Sequence, residues 1–168
     1  ERYVRSPIYP LSQTVAEINL DGANLWGLTD DIIVHGEERS ELGNYVRPRA
    51  TQLGLTLRPD AEPEKGFFFR SDHFPFAKAG VPSLWIEHGR DYRGQPAGWG
   101  AQLQADYTAN RYHAPSDEFS AEFTFDGAVQ QGALLLAVLF DVAADVSWPN
   151  WHVGQEFKGA RDAMLENR

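Results

Sequence analysis

Residues 14–22, Thr14-Val15-Ala16-Glu17-Ile18-Asn19-Leu20-Asp21-Gly22, form a β-compatible run that ends in a carboxylate and a turn signal. Strands of an open α/β sheet present function at their carboxyl ends, so Asp21 belongs at the rim of a crevice. The same residue also suits a plain turn, in which an Asp bonds its own backbone. Further along, Ile32 to Val34 reads as a brief strand, and Glu41 to Leu53 as an amphipathic helix closed by Gly54. Leu55 to Gly66 is turn-rich. Ser71 or Asp72 caps a short helix through Lys78, and Gly80-Val81-Pro82 turns into a buried strand, Ser83 to Glu87. His88 to Asn110 has the composition of a long surface loop, with Trp99 and Tyr107 either walling a cleft or pinning the loop. From Phe125 to Val146 a helix is apolar almost all round, which predicts packing on several sides. Trp148-Pro149 ends it, and the polar tail reads as a surface extension. The expected division is a main body over 1–147 and an extension of the same domain over 148–168.

A second segment, Tyr112-His113-Ala114-Pro115-Ser116-Asp117-Glu118, offers an imidazole. Ala114 and Pro115 prevent a continuous helix through His113, which places the ring on a loop or turn. Asp117 or Glu118 lies close enough to accept the proton on its other ring nitrogen and fix the tautomer. Ser116-Asp117-Glu118 equally suits the N-cap of a following helix. Glu37-Glu38, after His35-Gly36, reads as acidic residues near the positive end of a helix rather than as catalytic groups.

The chain has 168 residues, 42% hydrophobic and 12% aromatic, enough for one domain with a sizeable core. Its formal net charge of −9 disfavours nucleic acid and anionic membranes as partners and suits cations or an amino-terminal ammonium. There is no cysteine, so any metal must be held by carboxylate and imidazole. The longest uninterrupted apolar stretch, Ala133 to Phe140, is shorter than a bilayer span and is followed by Asp141. No membrane partner is expected.

Between the two segments stands Phe67-Phe68-Phe69-Arg70-Ser71-Asp72-His73-Phe74-Pro75-Phe76, followed by Gly80-Val81-Pro82. Together with Tyr9-Pro10-Leu11, Asn19-Leu20-Asp21-Gly22, Glu62-Pro63-Glu64-Lys65-Gly66, Tyr107-Thr108-Ala109-Asn110, Tyr112-His113 and Pro115-Ser116-Asp117-Glu118, this ordered set resembles the M28 family of zinc-dependent peptidases, chiefly aminopeptidases. The resemblance implies a zinc-exopeptidase-like α/β fold, a mixed β-sheet flanked by helices. It also implies a peptide substrate, two zinc ions in the complete enzyme, and a secreted or periplasmic setting.

By that resemblance Asp21 and His113 are metal ligands, one to each zinc. Three further ligands and the general-base glutamate come from His-x-Asp and Glu-Glu motifs upstream, and nothing in this chain matches them. The chain therefore resembles the C-terminal portion of such a domain, with an N-terminal part as its partner. It is expected to be inactive and at best a weak zinc binder alone. Uncovered apolar surface is expected to favour self-association. Asp72, His73, Arg70, Tyr107 and Asp117 fall in the supporting shell or on the substrate side, with Tyr107, Arg70 and His73 as candidate oxyanion donors. Two alternatives share the pattern. Glutaminyl cyclases resemble it at Asp72-His73-Phe74-Pro75-Phe76 but use a single zinc, and non-catalytic binding domains keep the fold without metals.

Overall fold

Four strands form one mixed sheet in the order β1 (Glu17–Asn19), β4 (Ser83–His88), β2 (Asp31–His35) and β3 (Thr56–Arg58). The computed structural model describes residues 1–166. β1 runs parallel to β4 and β2 parallel to β3, while β2 and β4 are antiparallel, with His35 opposite Trp85 and Ile32 opposite His88. Six helices surround the sheet: α1 (Arg2–Arg5), α2 (Gly43–Gln52), α3 (Phe74–Lys78), α4 (Trp99–Asn110), α5 (Asp126–Ala144) and α6 (Lys158–Glu166). A mixed sheet flanked by helices is the architecture expected from the sequence.

Side chains alternate across a sheet, so each strand sends one set to each face. Ile18, Leu84, Ile86, Ile32, Val34 and Leu57 share one face and form the main core with Leu42, Val46 and Ala50 around α2 and with Leu134, Val138 and Val142 of α5. Three side-chain bonds tie the covering helices together, two of them from Arg49 to Asp141. Arg49 Nε donates to Asp141 Oδ2 at 2.6 Å, and the Tyr45 hydroxyl donates to Asp145 at 2.8 Å.

The opposite face carries Glu17 and Asn19 of β1, Ser83, Trp85 and Glu87 of β4, and Asp31, Ile33 and His35 of β2. It is roofed by the 67–74 segment, and beyond that by a second apolar cluster of Phe68, Ala77, Trp151 and Phe157. Trp151 and Phe157 come from the tail, which is therefore structural rather than a surface extension. Trp151 Nε1 donates to the Gly80 carbonyl at 2.9 Å. The wholly buried Arg161 of α6 donates to the carbonyls of Thr14 and Val15, both at 3.0 Å, directly before β1. Trp and Phe scattered among charges bury here because the tail lies over a surface already built.

Other expectations need correcting. The 88–110 stretch is not one long loop: its last twelve residues are α4, packed through Trp99 on Tyr92 at 5.0 Å. Gly100 fits there because a methyl group would stand 2.3 Å from the Arg90 carbonyl oxygen. The Leu55 to Gly66 region contains β3, an edge strand of three residues. α3 begins after His73 with no side-chain cap, so neither Ser71 nor Asp72 caps it. Ser116 caps no helix either; its hydroxyl donates to the Asn110 carbonyl at 2.7 Å, and α5 starts only at Asp126. Glu37, by contrast, lies near the positive end of a helix as expected: from the turn before α2 its carboxylate reaches Gly43, the first residue of that helix, and pairs with Arg47 at 2.7 Å.

α5 also departs from its expected surroundings. One stripe (Gly127, Gln131, Leu134, Val138, Val142) is buried, but the opposite side is open to solvent, so the helix does not pack all round. By length and composition alone this 19-residue helix suffices to cross a membrane, although Ala133 to Phe140 by itself does not. Its inner stripe is committed to the sheet.

Candidate functional site

Asp21 follows β1 by two residues and is solvent-exposed. Its carboxylate accepts a 2.8 Å hydrogen bond from the Ser71 hydroxyl, which in turn accepts one of 2.7 Å from Asn19 Nδ2. The Asp21 carbonyl accepts a further bond from Trp85 Nε1 at 3.1 Å. Thus the strand-end carboxylate and the Arg70-Ser71-Asp72-His73 segment, fifty residues apart, meet at one rim, and the acid is aimed rather than free to swing.

Beneath that rim lies His73, wholly buried. Its ring meets Phe68 edge-on with centroids 4.7 Å apart and lies over Trp85 at 6.4 Å. Burial is the main cause that pushes its pKa down to about 4, opposed by the Phe68 backbone, with the neighbouring His35 lowering it further. A neutral imidazole under Phe68 supports the rim and does not reach solvent. Asp72 is exposed and acts electrostatically on Glu17, whose carboxyl is pushed up to about 8 by burial first and by Asp72 second. Arg70 is exposed, its guanidinium 5.9 Å from the Phe67 ring centre.

His113 sits in the turn after α4, as expected, with φ of 58°, a left-handed conformation that no other non-glycine described residue adopts. Such strain in a residue with a Cβ persists only where the surroundings enforce it, and it concentrates at functional positions. The ring is exposed and stacked on Tyr112 at 3.8 Å. Asp117 is not its partner: that carboxylate accepts a 2.9 Å bond from the Tyr107 hydroxyl instead. Burial and this bond raise the Tyr107 pKa. Tyr107 and Trp99 thus both hold α4 and its following turn in place.

The His113 turn leans on the segment that follows Asp21. Arg111 lies over the Trp26 ring at 5.5 Å, Trp26 meets Phe123 edge-on at 5.0 Å, and the Thr124 N–H donates to the Leu25 carbonyl at 2.8 Å. Asn24 anchors that segment. Its N–H donates to Gln131 of α5 at 2.7 Å, and its side-chain oxygen accepts from Tyr92 at 3.0 Å. Among the described residues no hydrogen bond or ion pair joins Asp21 to His113 directly, and no group of three or more His, Asp or Glu residues is arranged to hold a metal. The donor types, a carboxylate and an imidazole, suit zinc; two of them make part of a site and not a whole one.

Sequence reasoning missed a second ionisable group on the same face of the sheet. His35 is buried at the end of β2, stacked on Trp85 at 4.5 Å, with Nε2 at 2.7 Å from Glu87 and Nδ1 at 3.4 Å from Asp60. Burial pushes Glu87 up, but the bond from His35 and the adjacent Arg90 outweigh it and hold the carboxyl at about 2. The available signal was spacing: Trp85 and Glu87, two apart on one strand, necessarily share a face. His88 points the other way, its pKa lowered by burial and then by Arg90.

The family model described as peptidase family M28 matches residues 1–138. Comparison with curated proteins and with solved structures finds no match.

Proposed function

Because this chain belongs to peptidase family M28, we propose that it is part of a zinc-dependent aminopeptidase, contributing Asp21 and His113 as one ligand to each of two metal ions. The observation that carries the reading is the bond from Ser71 to Asp21, which fixes a rim carboxylate through the very segment that bears the family pattern. A prearranged ligand with its own hydrogen-bonded support is what a metal centre requires. The strained backbone at His113 supports its role in the same way.

Zinc in such a site supplies a Lewis acid and an activated water. This chain's residues have narrower tasks. Asn19 and Ser71 orient Asp21, Tyr107 and Asp117 brace the His113 turn, and buried His73 fills the space under the rim. The remaining ligands and the general base come from outside these 168 residues. A peptide with an unblocked amino terminus is the proposed substrate, in keeping with the net negative charge.

Calorimetry with zinc and an assay with an aminoacyl chromogenic substrate test this on the chain itself. The expected result is weak zinc uptake, reduced by Asp21→Ala and by His113→Ala, and no turnover. Turnover that His113→Ala abolishes would refute the half-site assignment. When the missing ligands are supplied, Ser71→Ala should weaken metal affinity by about ten- to a hundredfold.

A further inference from the structure

The outer side of α5 has a shape that the fold of one chain does not explain. Opposite the buried stripe stand Val129 (68% exposed), Leu136 (54%), Leu139 (44%) and Phe140 (67%), interleaved with Gly132, Ala133 and Ala143. No ionisable group lies among them. A methyl group built on Gly132 would meet nothing within 4 Å, so Gly132 is an open notch in the helix surface. A glycine inside a helix costs about 1 kcal/mol relative to alanine, and nothing within the chain requires it here.

We propose that this stripe is the contact surface of a two-fold dimer, in which the α5 helices of two copies pack antiparallel about Leu136. An isologous contact demands a self-complementary patch. With Leu136 on the axis, Leu139 of one copy faces Ala133 of the other, Phe140 faces Gly132, and Val129 faces Ala143. Every bulky side chain then meets a small one, the arrangement that lets helix surfaces interdigitate. A parallel pairing does the reverse, setting Phe140 against Phe140 and leaving a void between the two Gly132 positions. Antiparallel packing also opposes the helix dipoles favourably.

The area sets the strength. The stripe exposes roughly 500 Å² of apolar surface, the upper end of what one chain leaves uncovered. A standard stable interface takes about 800 Å² from each partner, so the dimer is weak and forms at micromolar concentrations. Two copies of a chain with net charge −9 repel at long range, and salt therefore tightens the dimer. None of this rests on the peptidase reading.

Analytical ultracentrifugation of the 168-residue chain from about 5 to 500 μM tests the proposal across the range expected of a weak interface. A reversible doubling of mass is expected, lost in Phe140→Glu. Gly132→Leu separates association from folding: it should raise the melting temperature by restoring helix propensity, yet weaken the dimer at least about tenfold by filling the notch. Since the chain has no cysteine, single substitutions report geometry cleanly. Leu136→Cys should give a disulfide-linked dimer on mild oxidation, and Val129→Cys should not. A monomer at every concentration, a dimer that survives both Phe140→Glu and Gly132→Leu, or equal cross-linking through Val129→Cys and Leu136→Cys overturns the proposal. So does a monomer that floats with neutral phosphatidylcholine vesicles, which would make the stripe a lipid contact.

Discussion

The two faces of the sheet are built on different principles. On one, Ile18, Leu84, Ile86, Ile32 and Val34 meet α2 and α5 through apolar contact, and the surface excludes water without needing a particular partner. On the other, Asn19, Trp85, Glu87 and His35 are satisfied pair by pair, with Asn19 on Ser71, Trp85 on the Asp21 carbonyl, His35 on Glu87 and Glu87 on Arg90. An apolar face tolerates any cover of suitable shape, whereas a polar face dictates what lies over it. That is why the face bearing the Asp21 rim is roofed by residues from distant parts of the chain, including the tail.

If the tail is as structural as the core helices, Trp151→Ala should cost about 3–5 kcal/mol in denaturant unfolding, comparable with Leu84→Ala on the apolar face. A surface extension would lose less than about 0.5 kcal/mol, which is the outcome that would dissolve the contrast. Next in size, His35→Ala should cost about 1.5–3 kcal/mol, because it leaves a buried carboxylate with one partner fewer. It should also flatten acid unfolding. Glu87 at about 2, below its ordinary 4.5, gives stability that is present above pH 4.5 and lost as pH falls towards 2. Without His35 that carboxyl rises and its share of the loss shrinks. His73, lowered from 6.5 to about 4, gives a separate loss as pH falls through that window.

The smallest effect is at the alkaline side. Glu17, raised to about 8, has one buried oxygen without a hydrogen-bond partner. Its protonated form is favoured in the folded state, so its contribution is full below pH 4.5 and is lost as pH rises through 8. Glu17→Gln should therefore melt a few degrees above the parent at pH 8.5 and close to it at pH 5. An unchanged difference at the two pH values would show that Glu17 is ionised in the folded chain.

The apolar face was legible because its periodicities are long and clean. Gly54, at φ of 72°, closes α2 where the sequence places its end, and β4 and α5 lie within a residue or two of their expected bounds. β3 was not, since three residues on an exposed edge leave too short a pattern. α4 escaped because its apolar residues make no stripe; only Gly100 of its twelve residues is buried. At the site, the positions of Asp21 after a strand and of His113 in a turn were readable from local signals. The tie from Asp21 to Ser71 and the burial of His35 arise from strand pairing and chain crossing, which no local window contains. The tail was misread for the same reason, its composition being polar while its Trp151, Phe157 and Arg161 are not at the surface.

Arg161 closes the circuit between the last helix and the first strand, gripping the backbone of Thr14 and Val15. During synthesis, then, β1 can pair with β4 as soon as Ser83–His88 is made, but the backbone that leads into it gains this clamp only once Arg161 has emerged, so the rim at Asp21 is locked late.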